Sequence, residues 1–146
     1  MVRLAVHGHF YQPPRENPWT ETVPVEPSAS PFHDWNERIT AEAYRPNARA
    51  RILDDRGRVI AIVNDYALMS FNMGPTLASW LAAHHPDVYE MIIGADRAAG
   101  TAIAQAYNHM ILPLANERDI RTQVRWGLAD FEYRFGRRGC GCRRRP

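Results

Sequence analysis

The stretch His7-Gly8-His9-Phe10-Tyr11-Gln12-Pro13-Pro14 decides how this chain is read. It follows a short apolar run, Val2-Arg3-Leu4-Ala5-Val6, whose pattern predicts a buried β-strand. Two imidazoles then stand one residue apart where that strand ends. Residues two apart on a strand share a face, so both rings are expected to converge on one small volume at the strand's carboxyl-terminal mouth. In α/β folds that mouth is where ligands bind.

Working outward, Gln12 to Pro31 carries Pro13, Pro14, Pro18, Pro24, Pro27 and Pro31. A segment of this length without regular structure is usually functional or disordered, and its place after the histidines predicts a substrate-side loop. Phe32 to Tyr44 has helical character, with Trp35, Ile39 and Ala43 on one face and Pro46 as its stop. Ala50 to Asn64 holds two apolar runs around Asp54-Asp55-Arg56-Gly57, a hairpin pattern. Ala67 to Phe71 reads as a second core strand. Pro75 opens a helix to His84, with Gly74 just before it. Pro86 opens another to Ala99, stopped by Gly100. Thr101 to Leu114 is mixed. Glu117 to Phe135 spaces Ile120, Val124, Leu128 and Phe131 as one helical face, and Gly136 ends it. Strands alternating with helices predict an α/β fold with a parallel sheet; there are no internal repeats.

A chain of 146 residues suffices for one domain but is short of the roughly 250 of a complete α/β barrel. No apolar run approaches the roughly 18 residues of a membrane span, so no membrane is expected. No basic segment followed by a long apolar one marks a secretory leader, and the expected compartment is cytoplasmic. The basic residues are 18 arginines, with no lysine. Residues 1–136 hold 13 arginines against 16 acids, a net of −3. The formal +2 of the whole therefore comes from Arg137, Arg138, Arg143, Arg144 and Arg145. A mildly acidic body offers no electrostatic footprint for nucleic acid. Cys140 and Cys142 lie in the same terminal tail without further ligands at metal-site spacing, and read as incidental thiols.

His7 and His9 admit two chemistries. They can begin a zinc site of the amidohydrolase type, recruiting later ligands such as His33, Asp34, Asp65 or His109, although no spacing selects among these. Or they can hydrogen-bond a polar substrate. Asn72 and Gly74 fall at a strand-to-helix turn, where free N–H donors gather and where turn chemistry alone also accounts for them. His109, beside Met110-Ile111-Leu112-Pro113-Leu114, is either a third site imidazole or a core histidine. Trp80 and Trp126 fall within helices and read as core; Trp19 lies in the loop, where it can stack on a sugar ring.

Three of these segments together are similar to the amino-terminal part of glycoside hydrolase family 57. They are HGHFYQPPRENPW (His7–Trp19), NDYALMSFNMGPTLASWL (Asn64–Leu81) and AQAYNHMILPLANERDIRTQVRWGLADFEYRFG (Ala104–Gly136). The likeness is to the branch whose members begin His-x-His-Phe-Tyr-Gln-Pro-Pro-Arg, and it covers nearly everything from Met1 to Arg138. The resemblance implies a distorted (β/α)7 barrel, of which residues 1–138 are an incomplete amino-terminal portion. It also implies retaining chemistry on an α-glucan or oligosaccharide, of the amylase or glucanotransferase kind, with no metal or other cofactor. His7 and His9 would belong to the first family motif, lining the subsite of the reacting sugar, and His109 to the second. Asn72 and Trp19 complete the expected substrate-binding set.

Retaining glycosidases need two carboxylates about 5–5.5 Å apart. The family's nucleophilic Glu lies in a Gly-x-Trp-x-Pro-Glu motif just after the helix ending Phe-Gly-Arg, and the acid/base Asp follows much later. Here Phe135-Gly136-Arg137-Arg138 runs instead into Gly139-Cys140-Gly141-Cys142-Arg143-Arg144-Arg145-Pro146. One set of synonymous codons for that tail, read one base out of phase, spells Met-Trp-Leu-Pro-Glu-Ala. Residues 139–146 are accordingly expected to be an out-of-frame or disordered tail. The chain as written is expected to lack both catalytic carboxylates and to be inactive. The alternatives are the zinc hydrolase built on His7 and His9, and a non-catalytic carbohydrate-binding fragment.

Overall fold

A computed structural model describes residues 2–139. Met1 and residues 140–146, including both cysteines and nearly all of the expected tail, lie outside the described residues. In chain order the elements are β1 (His7–Phe10), α1 (Trp35–Ile39), a π-helical turn (Thr40–Tyr44), α2 (Arg45–Ala48), β2 (Ala50–Leu53), β3 (Val59–Val63), β4 (Ser70–Met73), α3 (Pro75–His84), α4 (Pro86–Ala99) and α5 (Glu117–Phe135). Short 3-10 turns stand at Pro27–Ala29, Asp65–Ala67 and Leu112–Leu114. The fold is mixed α/β with two small sheets, as the alternation of patterns predicts. Among the described residues no helix is long and apolar enough to cross a membrane.

The first strand begins at the histidines instead of ending before them. β1 pairs in parallel with β4, His7 opposite Ser70 and His9 opposite Asn72. Residues before Ser70 turn into the Asp65–Ala67 3-10 helix, so no strand lies alongside Val2–Val6. That run stays irregular, with Val2 98 % and Leu4 91 % exposed, and the expected buried strand at 2–6 is corrected to His7–Phe10. A third parallel stretch is a single bridge from Ala102 to Phe71, flanked by Phe71 N–H donating to Thr101 O and Ile103 N–H to Phe71 O. The second strand starts at Ser70, not Ala67, because Asn64 caps the intervening turn by accepting from Tyr66 N–H.

α3 and α4 begin and end where the prolines and glycines place them. Gly100 takes φ +68° and its N–H caps Asp96 O, a left-handed stop that glycine adopts without a Cβ penalty. β2 and β3 form the expected antiparallel hairpin. Pro46 does not end the first helix. The backbone widens to a π turn before it, Arg45 N–H reaching Thr40 O, and continues to Ala48. A wider turn relieves the clash between a proline ring and the preceding turn's carbonyl, and leaves no N–H orphaned.

The core gathers Tyr44, Tyr66, Phe71, Leu77, Trp80, Leu81, Val88 and Ile92 between the parallel strands and α2–α4. Trp80 is buried as expected. Trp126 is not, standing 53 % exposed. The helix face that α5 buries is Gln123, Gly127 and Phe131, while Val124 and Leu128 are exposed. The reason is a close approach. A Cβ on Gly127 would fall 1.9 Å from Gln105 O, so α5 docks through its glycine, and the larger apolar side chains on either side of it point away.

The Pro-rich segment is irregular but tied down. The Arg15 guanidinium donates to Glu26, Asn36 and Gln12, and Gln12 Nε2 donates to the Tyr44 hydroxyl at 3.0 Å. Glu26 in turn accepts from Trp35 N–H at the start of α1.

Candidate functional site

β1 alternates, Gly8 and Phe10 toward the core and His7 and His9 toward the exposed face. β4 runs beside it with the same period, so Ser70 and Asn72 meet His7 and His9 rank for rank. His7 Nδ1 lies 2.9 Å from Ser70 Oγ, and His7 Nε2 lies 3.0 Å from Asn72 Oδ1. His9 Nδ1 sits against the same amide, 3.0 Å from Oδ1 and 2.8 Å from Nδ2. Asn72 Nδ2 also donates to Gln105 Oε1. Asn72 is thus the hub of the site, at 9 % exposure. It does not cap α3; Gly74 takes that position without a side-chain cap.

His109 joins from 100 residues away, its Nε2 2.8 Å from His9 Nε2. Its ring also stacks on Tyr11, centroids 4.3 Å apart. The backbone at His109 has φ +54°, a left-handed conformation uncommon for a residue other than glycine. Such conformations persist only where surrounding contacts impose them, and they gather at functional sites. Here α5 imposes it: Gln123 accepts from Tyr107 N–H at its carbonyl and from Asn108 N–H at its side chain, 2.7 Å. Gly74 leaves room for the floor, since a Cβ there would come within 2.8 Å of the Tyr11 ring and 3.2 Å of Gln105 Nε2.

Of the five expected site residues, His7, His9, Asn72 and His109 are therefore brought together by hydrogen bonds. Trp19 is not part of this network. It is 91 % exposed on a turn that Asn17 holds by accepting from Trp19 N–H and Thr20 N–H, and it makes no ring contact with the cluster. Ser70, Gln105, Tyr11, Gln123 and Gly127 were missed in the sequence. Ser70 and Asn72 repeat the two-residue spacing of His7 and His9, a signal that placing the strand at Ala67–Phe71 obscured.

Comparisons of the chain with family models, with curated proteins and with solved structures each find no match.

Among the described residues no group of three or more His, Cys, Asp or Glu side chains is arranged to hold a metal ion. Of the donors a zinc site would recruit, only His109 bonds to the cluster, while His33 and Asp34 engage each other. His33 Nδ1 pairs with Asp34 Oδ2 at 2.9 Å, Asp34 caps α1, and Asp65 opens a 3-10 turn. His7 and His9 turn nitrogens toward the Asn72 amide. No carboxylate hydrogen-bonds to the cluster among the described residues. What the cluster does offer is a polar, partly exposed rim of imidazole, hydroxyl and phenol at the edge of a parallel sheet, with no carboxylate bonded to it among the described residues. Such a rim can orient a hydroxylated ligand, and cannot by itself perform a displacement that requires two carboxylates.

Proposed function

We propose that this chain is an amino-terminal portion of a family 57 type glycoside hydrolase, whose histidine rim binds an α-glucan without cleaving it. The observation that carries the reading is the convergence of His7, His9 and His109 on one rim although 100 residues separate the last two. Imidazoles linked side by side, with a tyrosine stacked alongside, suit a sugar's dense set of hydroxyls. The parallel order of β1, β4 and the Ala102 stretch, with helices between, supports the first units of a (β/α)7 barrel. Binding without turnover follows because residues 1–146 contain no Trp-x-Pro-Glu segment and the rim holds no carboxylate pair.

The test is calorimetric titration of the purified chain with maltoheptaose, alongside a reducing-end assay. Saturable binding with no release of reducing ends is expected, and His109→Ala should weaken it by about tenfold for the loss of one hydrogen bond and one stacked ring. Absence of binding at millimolar maltoheptaose would overturn the reading. So would stoichiometric zinc in the purified chain together with metal-dependent hydrolysis, which belongs to the zinc alternative.

A further inference from the structure

The hydrogen-bond ledger of Asn72 has a consequence for which imidazole faces the ligand. An amide offers two N–H donors and one carbonyl, and a nine-tenths buried one is expected to use them all. One Asn72 N–H goes to Gln105 Oε1. The Asn72 carbonyl accepts from His7 Nε2. His9 Nδ1 stands 2.8 Å from Asn72 Nδ2 and 3.0 Å from Asn72 Oδ1; satisfying the remaining N–H of this buried amide selects the shorter contact, so His9 Nδ1 carries the lone pair and His9 Nε2 the proton. His9 Nε2 then donates across the 2.8 Å gap to His109 Nε2, a bond that requires one nitrogen to give and the other to accept. That leaves the proton of His109 on Nδ1, which has no partner among the described residues and belongs to an exposed ring. With its proton on Nε2, His7 takes the single Ser70 hydroxyl proton at Nδ1, 2.9 Å away, in preference to Val6 O at 3.2 Å, so both nitrogens of His7, and both of His9, are spent inside the network.

From this chain of bonds we infer that Asn72 is a positioning residue which, through His9, sets His109 Nδ1–H as the hydrogen-bond donor the rim presents to an acceptor oxygen of its ligand. His7 and His9 are internal struts of the rim. The inference rests on the glucan-binding reading only for the identity of the ligand; the direction of the bonds is a property of the free chain. Asn72→Asp is the informative change. A carboxylate only accepts, so His9 must then donate from Nδ1, His109 must donate from Nε2, and His109 Nδ1 becomes a lone pair. Gln105 Nε2, which is buried without a partner in this structure, would turn to the new carboxylate.

The experiment is long-range proton–nitrogen NMR of the isotope-labelled full chain, in which each imidazole tautomer has its own pair of nitrogen shifts. The expected result is Nε2–H on His7 and His9 and Nδ1–H on His109, with His9 and His109 both reversed in Asn72→Asp. A merely structural asparagine would leave the tautomers unmoved. His109→Ala serves as a second variant: His9 should keep Nε2–H, because Asn72 and not His109 sets it. Nδ1–H on His9 in the unaltered chain overturns the inference, as does an unchanged His9 in folded Asn72→Asp or a switched one in His109→Ala. Maltoheptaose is then added to the unaltered chain. A shift at His109 Nδ1 without one at His7 supports the assigned ligand-facing group, and the reverse overturns it. With no shift anywhere, α-glucan is lost as the ligand, while the tautomers still decide the relay.

Discussion

Replacing Gly127 by alanine tests how the site is held. The added Cβ would lie 1.9 Å from Gln105 O, 3.0 Å from Gln105 C and 3.3 Å from Tyr107 N. All three obstacles are backbone, so no side-chain rotation relieves them, and α5 must back away by more than an ångström. Overpacking of this kind costs about 1–3 kcal/mol. The same retreat stretches the two bonds from Tyr107 N–H and Asn108 N–H to Gln123, worth about 1 kcal/mol each. Alanine's better helix propensity returns about 1 kcal/mol. The net expectation is a loss of about 2–4 kcal/mol, and a fall in Tm on the order of 10 °C. Gly94 is the matched control. It sits inside α4 with nothing within 4 Å of its Cβ position, so Gly94→Ala should gain up to about 1 kcal/mol. Urea unfolding of the two variants, followed by tryptophan fluorescence, should separate them by about 2–5 kcal/mol. If they fall within about 1 kcal/mol of each other, α5 is not docked through Gly127, and the account of how His109 is held in place fails with it.

Other expectations are as direct. Asp96 is 1 % exposed, accepts from Ala102 N–H, and holds the Arg137 guanidinium at 2.6 and 2.9 Å. Asp96→Ala should cost about 3 kcal/mol, the lower end for a broken buried pair because Arg137 is partly exposed. In a double-mutant cycle Arg137→Ala should add little further, and full additivity would refute the pairing. Burial, and then the neighbouring Tyr44 and Asp65, push the Tyr66 phenol well above its ordinary value. A raised folded value means that its contribution is intact below the unfolded pKa of about 10 and is lost as pH rises beyond it. Tyr66→Phe should therefore flatten the alkaline fall in stability while costing about 1 kcal/mol or less at neutral pH, since only a 3.4 Å bond to Tyr44 O is lost; an unchanged alkaline limb would count against this. Finally, Ile60 and Ile62 stand 65 % and 57 % exposed on the β2–β3 hairpin. Charged substitutions there should suppress concentration-dependent light scattering without lowering Tm, and a lowered Tm would mean that the hairpin packs against something.

The elements legible in the sequence were those with strong local punctuation. Pro75, Pro86, Gly100 and Gly136 placed three helices to the residue, and Asp54 to Gly57 placed the hairpin. What the sequence hid was decided by partners distant along the chain. Val2–Val6 has a strand's composition but no neighbouring strand, so its apolar pattern led nowhere. The face of α5 was misread because apolar side chains were taken as the inward mark, whereas the closest contact needs no side chain at all. Within the site, the histidines announced themselves by type and spacing. Asn72 was expected in the substrate-binding set, but its place as the hub was hidden, because a hydrogen-bond hub is defined by the register of β4 against β1, and that register is a long-range fact.

The bond between His9 and His109 closes a loop of 100 residues. His109 therefore completes the rim only where α5 holds the Tyr107–His109 segment in place. Closing so long a loop is mainly an entropic matter, and a ligand held by His109 would share in holding it shut. Each tenfold of free ligand above its Kd then adds about 1.4 kcal/mol to the closed form. Binding at His109 and docking of α5 would in that sense be one quantity seen from two sides, and a lesion on the Gln123–Gly127 face of α5 is felt at the imidazoles.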